Sequence, residues 1–330
     1  MSAEWLYEAG IGEERAILVA HGQILSARIE WGDPVRPGLV APARLVKRLH
    51  DAKRGIVRLE DGTDAFIDHL PRDATEGVTL TVRVVRAAIA EKGRTKLPVT
   101  RPAPGEAPAP APTLREEIEA TGATLRALPV TSTAMAVNGW DDLVEQALTG
   151  EIPFAGGSII ISPTPAMTLI DIDGTLPPLK LSLEAVPAIA DALHRLDIGG
   201  SIGIDFPSLA DKKDRQHVDK ALADSLIDWT GERTAMNGFG FVHLVARLER
   251  PSLVARFARH RSAAAARILL RAAERVADPG ALLLCAHPAV LDAIRPEWEA
   301  ELARRTGRTV RRKPDAALSL IGGYAQAIPQ

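Results

Sequence analysis

Alternation of apolar and polar residues dominates the first hundred positions and predicts a succession of short β-strands. The turn residues His21-Gly22-Gln23 and Glu60-Asp61-Gly62 each separate two such stretches, as in a β-hairpin. The alternating stretches are Arg15–Ala20, Ile24–Glu30, Gly55–Leu59, Ala65–Asp68 and Val78–Val85. Several short strands with turns between them, in so small a segment, predict a β-barrel of the oligonucleotide-binding (OB) type.

A different pattern begins after Arg101–Pro112, where proline alternates with alanine and small polar residues. This composition predicts an extended, semi-rigid linker. Beyond it, helical and strand periods alternate, which indicates a layered α/β architecture. The predicted helices are Thr113–Thr121, Trp140–Thr149, Leu183–Leu196, Asp214–Trp229 and one long helix from Ser252 to Ala277, and the predicted strands are Ser158–Ser162, Ala166–Ile172, Ile202–Asp205 and Phe241–Arg247.

The composition excludes several classes of protein. With 330 residues, of which 46% are hydrophobic, the chain can form two or three modules, each with its own core. The single cysteine, Cys285, excludes an internal disulfide and a cysteine-based zinc site within one chain. Residues 1–12 carry Glu4 and Glu8 but no basic residue, so we expect no signal peptide. No apolar run approaches the roughly 20 residues of a membrane helix, and we expect a cytoplasmic protein with no membrane partner.

Charge is informative through its distribution, because the formal net charge of −2 does not by itself indicate a nucleic-acid partner. Basic residues concentrate in three places, and each alone is typical of a solvated surface. Together, in a chain without net positive charge, they indicate a localised anionic partner. The clusters are Arg44, Lys47, Arg48, Lys53 and Arg54; Arg256, Arg259, Arg261, Arg267, Arg271 and Arg275; and the stretch from Arg304 to Lys313.

Two acidic residues, Asp171 and Asp205, each follow apolar residues of a predicted strand. Strand ends are where open α/β sheets place their ligand sites. Carboxylates on neighbouring strands can share one hard cation, as magnesium requires, and such an ion can activate water and stabilise charge on a phosphoryl oxygen. The alternative is that Asp171 caps a loop and Asp205 caps a helix.

A second alternative concerns Asp171-Ile172-Asp173-Gly174-Thr175, which resembles the nucleophile motif of haloacid-dehalogenase-type phosphatases. There Asp171 would be the nucleophile and Asp173 the acid/base. Lys212 or Lys213 could be the lysine that this family needs. However, no later strand ends in its acidic pair, and a strand hairpin precedes a motif that normally opens the domain.

A longer series of segments, in constant order from Thr149 to Leu253, resembles the ribonuclease E/G family. The segments lie in and around the two predicted acidic strands, the helix between them and the elements that follow. They are Thr149-Gly150-Glu151-Ile152-Pro153, Gly156 to Ile161, Ala166 to Asp173, Leu183 to Leu193, Asp197-Ile198-Gly199-Gly200, Ile204-Asp205-Phe206, Arg215 with Val218, Phe239-Gly240 and Pro251-Ser252-Leu253.

The resemblance implies an α/β, α+β multi-module fold: an RNase H-like part, an OB-type RNA-binding barrel, a DNase I-like catalytic subdomain and a small C-terminal αβ domain. It also implies that Asp171 and Asp205 are the catalytic residues that bind Mg²⁺, with Mn²⁺ as a substitute. Asp173 stands where the family usually has asparagine and would add metal charge or act as a base. The implied boundaries are 1–38 and 114–153 for the RNase H-like part, 39–100 for the barrel, 101–113 for the linker, 154–255 for the catalytic subdomain and 256–330 for the last helix and small domain.

The resemblance further implies an RNA channel on the barrel. Phe66 matches an aromatic on which a base could stack, Ile56 holds the companion aromatic position, and Lys92 matches a basic residue that would meet phosphate. The alternative for Phe66 is a barrel core residue. The remaining candidate RNA-binding residues are Arg44, Lys47, Arg48 and Arg215.

Two departures from the family concern the 5′ end of RNA and zinc. No Arg-Thr pair matches the family's 5′-monophosphate sensor, whose region here is the Arg101–Pro112 stretch, although Arg233 lies near where the catalytic subdomain contributes to that pocket. No Cys-x-x-Cys follows Leu253, so we expect no zinc and no zinc-linked tetramer, but a monomer or weak dimer.

These observations predict a Mg²⁺-dependent endoribonuclease that hydrolyses single-stranded RNA to 5′-phosphate and 3′-hydroxyl products, in RNA processing, including rRNA processing, or decay. The alternative from another class is an RNA-binding protein that keeps the fold and cleaves poorly. Both metal aspartates are present, which favours the enzyme.

Overall fold

The computed structural model describes residues 3–49 and 53–329. The chain divides into two compact units, which are described separately. The first consists of Met1–Gly32, Ile118–Leu148 and Phe257–Gln330, and the second of Asp33–Glu117 and Thr149–Arg256. Each unit is therefore built from segments that are distant in the sequence. No helix of the described residues is long and apolar enough to cross a membrane.

The first unit begins with an antiparallel sheet whose hairpin the sequence predicts. Its strands are β1 (Glu4–Gly10), β2 (Glu13–Ala20) and β3 (Gln23–Glu30). His21 and Gly22 form the turn between β2 and β3 with φ angles of 52° and 75°, the left-handed values that two-residue hairpin turns require. Strand β1 was not predicted, because Trp5, Leu6 and Tyr7 are all buried and its sequence therefore does not alternate.

The second unit begins with the predicted barrel, which the structure shows as closed. Alternation explains its interior, since Leu45, Val57, Ile67 and Val82 all point inward and are 0–1% exposed. The barrel strands follow the order β10-β6-β5-β4-β7 around the closed sheet, with a separate hairpin of β8 and β9. Their bounds are β4 (Val40–Arg48), β5 (Arg54–Leu59), β6 (Asp64–Asp68), β7 (Thr79–Arg86), β8 (Ile89–Glu91), β9 (Arg94–Lys96) and β10 (Val99–Pro102).

The proline-rich stretch is extended, as predicted, but it is attached to the barrel. Its first two residues, Arg101 and Pro102, end the barrel-closing strand β10. Farther along, the backbone of Ala109 exchanges two hydrogen bonds with that of Val40, at 2.9 and 3.0 Å. The side chain of Glu106 also forms an ion pair with Arg83 of β7. These pairings restrict the stretch more than its composition predicts.

Between the barrel and the second sheet, the chain forms three short helices and one strand. Thr113 and Glu116 form a reciprocal cap at the first helix, where the Thr113 backbone N–H donates to the Glu116 carboxylate at 2.7 Å and the Glu116 N–H donates to the Thr113 hydroxyl at 3.2 Å. Strand β11 pairs in parallel with β1 and so joins the N-terminal sheet. These elements are α1 (Leu114–Glu119), β11 (Leu125–Ala127), α2 (Ala134–Val137) and α3 (Trp140–Thr149).

The second sheet has the strand order β12-β13-β14-β15-β17-β16. Helix α4 packs against β12, β13 and β14, and helix α5 packs against α4. Only β14 and β15 pair in parallel in this sheet, among the residues described, and α4 is the crossover between them. The bounds are β12 (Glu151–Phe154), β13 (Gly157–Pro163), β14 (Thr168–Gly174), α4 (Pro178–Arg195), β15 (Gly200–Asp205), α5 (Lys212–Ser225), β16 (Gly231–Arg233) and β17 (Phe241–Ala246).

The C-terminal segment forms a small αβ unit whose sheet has the order β19-β18-β20. The predicted long helix is interrupted at His260, whose φ and ψ of −127° and 45° are not helical. The sequence gives no sign of this break, since neither glycine nor proline is present; the His260 ring contacts Trp31 instead, with centroids 6.1 Å apart. The bounds are α6 (Leu253–Arg259), α7 (Arg261–Glu274), β18 (Ala281–Ala286), α8 (Pro288–Asp292), α9 (Pro296–Thr306), β19 (Val310–Pro314) and β20 (Tyr324–Ile328).

The basic cluster of α6 and α7 is largely internal. The Arg267 guanidinium lies between the rings of Trp31 and Trp298, 4.2 and 4.4 Å from their centroids. Arg271 contacts the fully buried carboxylate of Glu8. The three most buried members, including Arg256, are each 5% exposed. The expectation of a solvated basic surface is therefore wrong for these arginines, because long-range partners bury them.

Candidate functional site

Asp171 and Asp205 lie side by side on the second sheet. They are register partners where β14 runs parallel to β15, so their Cα atoms are separated by one strand spacing, about 4.8 Å. Because side chains alternate between the two faces of a strand, the neighbours Ile170, Ile172 and Ile204 are buried while both carboxylates are exposed on the opposite face. The sheet thus presents two acidic groups together to solvent.

The two aspartates differ in their position along the strands. Asp205 is the last residue of β15, as predicted, whereas Asp171 lies within β14, which continues to Gly174. Asp205 does not cap a helix, since α5 begins only at Lys212. One carboxylate oxygen of Asp171 accepts a hydrogen bond from the Ile172 N–H at 3.0 Å. The pair therefore belongs to the two central strands of the sheet rather than to two separate caps.

Asp173 lies on the same exposed face as Asp171, two residues farther along β14. Its register partner is Ser158 of β13. Strand β15 has already ended at this level, so Asp173 lies beyond the paired aspartates. Its assignment as a metal-charge or base residue stays a prediction.

The Asp171–Asp205 pair fits what magnesium accepts from a protein. Mg²⁺ prefers oxygen ligands and usually retains several waters, binding through one or two carboxylates together with substrate phosphates. Within residues 3–49 and 53–329, no group of three or more His, Cys, Asp or Glu residues is placed to hold a metal. An ion held by this pair would therefore take its remaining ligands from water and phosphate.

A half-buried aromatic ring lies next to the pair. Phe241 is the register partner of Asp205 on β17. A Cβ atom built on Gly203 would be 2.5 Å from the Phe241 ring and 2.9 Å from the Met167 sulfur. The glycine therefore makes room for both side chains on this face. Sequence reasoning missed them, although an isolated glycine in a strand often marks such a close approach.

A polar pair lies farther along the same face. The Ser201 hydroxyl and Nε2 of His243 are 2.7 Å apart, joining β15 to β17. His243 is opposite Gly203 in the strand register. This pair was also missed; its signal is a histidine inside the otherwise apolar strand Phe241–Ala246. A cross-strand hydrogen bond of this kind stabilises the pairing of the two strands.

On the barrel, Phe66 and Ile56 are register partners on β6 and β5. Both are half-buried, while their neighbours Val57, Ala65 and Ile67 are fully buried in the barrel core. The alternative that Phe66 is a core residue is therefore wrong, because alternation places its ring on the outer face. There an aromatic side chain, on which a base could stack, lies next to an aliphatic one.

Ion pairs flank the Phe66–Ile56 pair on both sides. Arg54 and Asp68 are 2.6 Å apart, and the Arg54 guanidinium lies 5.7 Å from the Phe66 ring centroid. On the other side, the hydrogen bond from Arg58 lowers the pKa of Asp64. The aromatic position is thus framed by arginines with exposed guanidinium groups.

The other basic candidates of the barrel differ in their surroundings. Lys47 is the register partner of Ile56 and so belongs to the same outer face. Arg44 lines an open cavity of about 560 Å³, together with Arg58. The Arg48 guanidinium instead donates to backbone carbonyls of the loop from Pro71 to Ala74. Positions 50–52, inside this basic cluster, lie outside the described residues.

Lys92 lies in the turn of the β8–β9 hairpin, which reaches the second sheet. The Nζ atom of Lys96, at the end of this hairpin, donates to the Pro165 carbonyl at 2.9 Å. Pro165 belongs to the turn between β13 and β14, the strand that carries Asp171. The hairpin and the two aspartates therefore belong to one compact unit.

Two arginines of the same compact unit are engaged in local contacts. The Arg215 guanidinium donates to the carbonyl oxygens of Leu209 and Ala210, at 2.5 and 2.9 Å, and so braces the loop after β15. Arg233 pairs with Asp219 of α5 at 2.7 Å. Partial burial opposes ionisation of Asp219, but hydrogen bonds from Arg233 and the Met236 N–H outweigh it and lower the Asp219 pKa.

The sheet order bears on the phosphatase alternative. Strand β14 pairs antiparallel with β13, and β15 pairs antiparallel with β17. A doubly wound parallel sheet, in which neighbouring strands all end at one edge, is what that alternative needs. The mixed sheet found around Asp171 does not provide it.

Comparisons with known proteins fall on this same region. The sequence model of the Ribonuclease E/G family matches residues 129–244, which include Asp171, Asp173 and Asp205. The chain is also similar to Ribonuclease G of Haemophilus influenzae, with 32% identity over 132 residues. That similarity covers 36% of this chain and 26% of the relative, so the chain spans about a quarter of the relative's length.

Proposed function

We propose that this chain is a Mg²⁺-dependent endoribonuclease of the ribonuclease E/G family, whose sequence model matches residues 129–244. Its substrate is single-stranded RNA, and the reaction is hydrolysis of a phosphodiester. The observation that carries the proposal is the register pairing of Asp171 with Asp205 on an exposed sheet face.

In this proposal Asp171 and Asp205 hold one Mg²⁺ through carboxylate oxygens, and Mn²⁺ can substitute for it. When bound, the ion lowers the pKa of water and stabilises charge on a phosphoryl oxygen. Asp171 and Asp205 would position the scissile phosphate only through the ion that they hold, because carboxylates alone repel phosphate, and Asp173 would add negative charge or accept a proton from the attacking water. Water attacks phosphorus in line and the bond to the 3′ oxygen breaks, which leaves a 5′-phosphate and a 3′-hydroxyl.

The barrel holds the RNA strand. Phe66 offers the stacking surface, with Ile56 packing beside it, and their exposure on the outer barrel face supports this role. Arg44, Lys47 and Lys92 supply positive charge for backbone phosphates. Arg48 and Arg215 contribute indirectly, since their guanidinium groups hold loops of the same unit in place.

The cellular role and assembly follow from the family and remain part of the proposal. We expect a cytoplasmic enzyme of RNA processing, including rRNA processing, or decay. We expect a monomer or weak dimer without a zinc link, since the single cysteine, Cys285, is buried.

The competing candidate is an RNA-binding protein with this fold and little catalysis. Its support is that Asp173 stands where the family usually has asparagine. Incubation of the purified chain with labelled single-stranded RNA, in Mg²⁺ and in EDTA, separates the two candidates. Mass spectrometry of the products should show 5′-phosphate and 3′-hydroxyl ends that appear only with the metal. Cyclic phosphate ends, or fragments that form in EDTA, would indicate a contaminating nuclease.

A further inference from the structure

Phe239 is the most exposed of the large hydrophobic side chains described, at 86%. Scattered apolar residues at a surface are ordinary, so the exposure of Phe239 is informative only together with the position of its turn. Phe239 is in the turn that joins β16 to β17. This turn leads directly into Phe241, the register partner of Asp205.

The turn that carries Phe239 is braced by hydrogen bonds. The side-chain oxygen of Asn237 accepts from the Phe239 N–H at 2.9 Å and from the Phe241 N–H at 3.0 Å. The backbone N–H of Gly240 also donates to the Asn237 carbonyl at 3.2 Å. The ring is thus held out on a fixed backbone, which reduces the entropy that a ligand contact must overcome.

The turn is also attached to the residue that follows Asp205. The Phe206 N–H donates to the Gly240 carbonyl at 3.2 Å. Gly240 has a φ of 89°, and a Cβ there would lie 2.8 Å from the Phe206 carbonyl oxygen. Only glycine therefore allows this approach. Because Phe239 is two residues from Phe241, their Cα atoms are at most about 7.6 Å apart, which places the backbone of the turn close to the register partner of Asp205.

We propose that Phe239 is a base-stacking residue for the nucleotide next to the scissile phosphate. The inference rests on the proposed function, since it takes single-stranded RNA as the ligand of the Asp171–Asp205 pair. A phosphate held at that pair brings its flanking base towards the turn. Stacking of a base on an aromatic ring contributes about 1–3 kcal/mol and tolerates any base. Phe66 binds the strand on the barrel, whereas Phe239 positions the nucleotide beside the bond that is cleaved.

The experiment combines protein variants with modified RNAs. The variants are Phe239→Ala, which removes the ring, and Phe239→Trp, which keeps an aromatic surface. The matched control is Ile227→Ala, because Ile227 is also highly exposed, at 82%. Ile227 precedes β16, whose first residue pairs with Ala246, at the end of β17 away from Phe241. The substrates carry a single abasic ribose, moved one position at a time through the nucleotides around the cleavage site.

We expect Phe239→Ala to lower kcat/KM by about 5- to 150-fold, the range of one lost stacking contact. Phe239→Trp and Ile227→Ala should stay within about twofold of the wild-type rate. One abasic position beside the cleaved bond should lower the kcat/KM of the wild type by a similar factor. The same abasic RNA should not lower the kcat/KM of Phe239→Ala any further. Such non-additivity identifies a direct contact between ring and base.

The proposal is overturned if every abasic position lowers the kcat/KM of Phe239→Ala by the same factor as that of the wild type. It is also overturned if Phe239→Ala changes the sedimentation of the protein but not RNA cleavage, because the ring then contacts a second copy. If the wild type cleaves no RNA, the proposed function fails and binding in EDTA decides the inference. Stacking is supported if an abasic position weakens RNA binding by the wild type but not by Phe239→Ala. It is refuted if the two proteins bind the unmodified RNA with equal affinity.

Discussion

Asp171 and Asp205 occupy directly opposing positions of two parallel strands, with both carboxylates on the exposed face of the sheet. Like charges placed opposite each other in a sheet are destabilising. This relationship is therefore unfavourable for the fold alone. A cation bound between the carboxylates would remove the repulsion, as the proposed function requires.

The repulsion predicts the effect of Asp205→Asn on stability. In EDTA the variant should be more stable than the wild type by about 0.2–1 kcal/mol, because one of two opposed charges is removed. Addition of Mg²⁺ should raise the melting temperature of the wild type, since a ligand that binds only the folded state stabilises it. The variant should respond less. Thermal unfolding with and without Mg²⁺ measures both effects, and equal shifts in the two proteins would count against the metal assignment.

Phe66→Ala should weaken binding of single-stranded RNA by about 1–3 kcal/mol. The fold should survive, because the ring lies on the outer face of the barrel rather than in its core. The comparison is Val57→Ala, which removes a fully buried core side chain and should lower stability without a specific effect on RNA. Fluorescence anisotropy in EDTA, together with circular dichroism, separates the two outcomes. Unfolding of Phe66→Ala would restore the core interpretation.

The sequence predicts the barrel and the acidic strands for the same physical reason. Where one face of a strand is buried, alternation is visible, as at Val57 and Ile67 on the barrel and at Ile170 and Ile204 beside the aspartates. Strand β1 escapes prediction because successive residues are all buried. The barrel-closing strand β10 is short and pairs with β6 and β7 through contacts that no local pattern encodes.

The site residues also divide into those that a local sequence pattern reveals and those that it does not. Asp171 and Asp205 interrupt apolar runs and can be found from the sequence. Phe241 and Met167 cannot, because their position depends on the space above Gly203 in a neighbouring strand. Phe239 is visible only as part of a family motif, and its exposure and its braced turn are properties of the folded chain.

Discrimination of RNA 5′ ends should be weak. Arg101 lies in the barrel strand β10, and Arg233 is paired with Asp219 through its guanidinium group. Neither therefore offers a prearranged cluster of donors for a terminal phosphate. Cleavage rates of 5′-monophosphate and 5′-hydroxyl RNAs of one sequence should differ by less than about threefold, or roughly 0.65 kcal/mol. A tenfold preference for the monophosphate would reveal a sensor, and Arg233→Gln would be the first variant to examine.

Glu8→Gln should destabilise the first unit by about 3–5 kcal/mol, the cost of leaving buried charges uncompensated. The Glu8 carboxylate is fully buried, 2.7 Å from Arg15 and in contact with Arg271, whose pKa burial lowers to about 10. Urea unfolding followed by tryptophan fluorescence reports on this unit, since Trp5, Trp31, Trp140 and Trp298 belong to it.

The control for Glu8→Gln is Asp224→Asn, which breaks an exposed ion pair with Lys220. It should change stability by no more than about 0.5 kcal/mol. If Glu8→Gln were equally mild, the buried carboxylate would not be compensating its arginine neighbours.

Cleavage by Asp171→Asn and Asp205→Asn tests the central claim most directly. Each substitution removes one charged oxygen ligand and leaves the barrel unchanged, so RNA binding in EDTA should match the wild type. The matched control is Asp228→Asn, an exposed aspartate between α5 and β16. We expect the control to cleave RNA at the wild-type rate in Mg²⁺ and both site variants to be inactive. Wild-type cleavage by either purified site variant would contradict the assignment of Asp171 and Asp205 as the catalytic metal ligands.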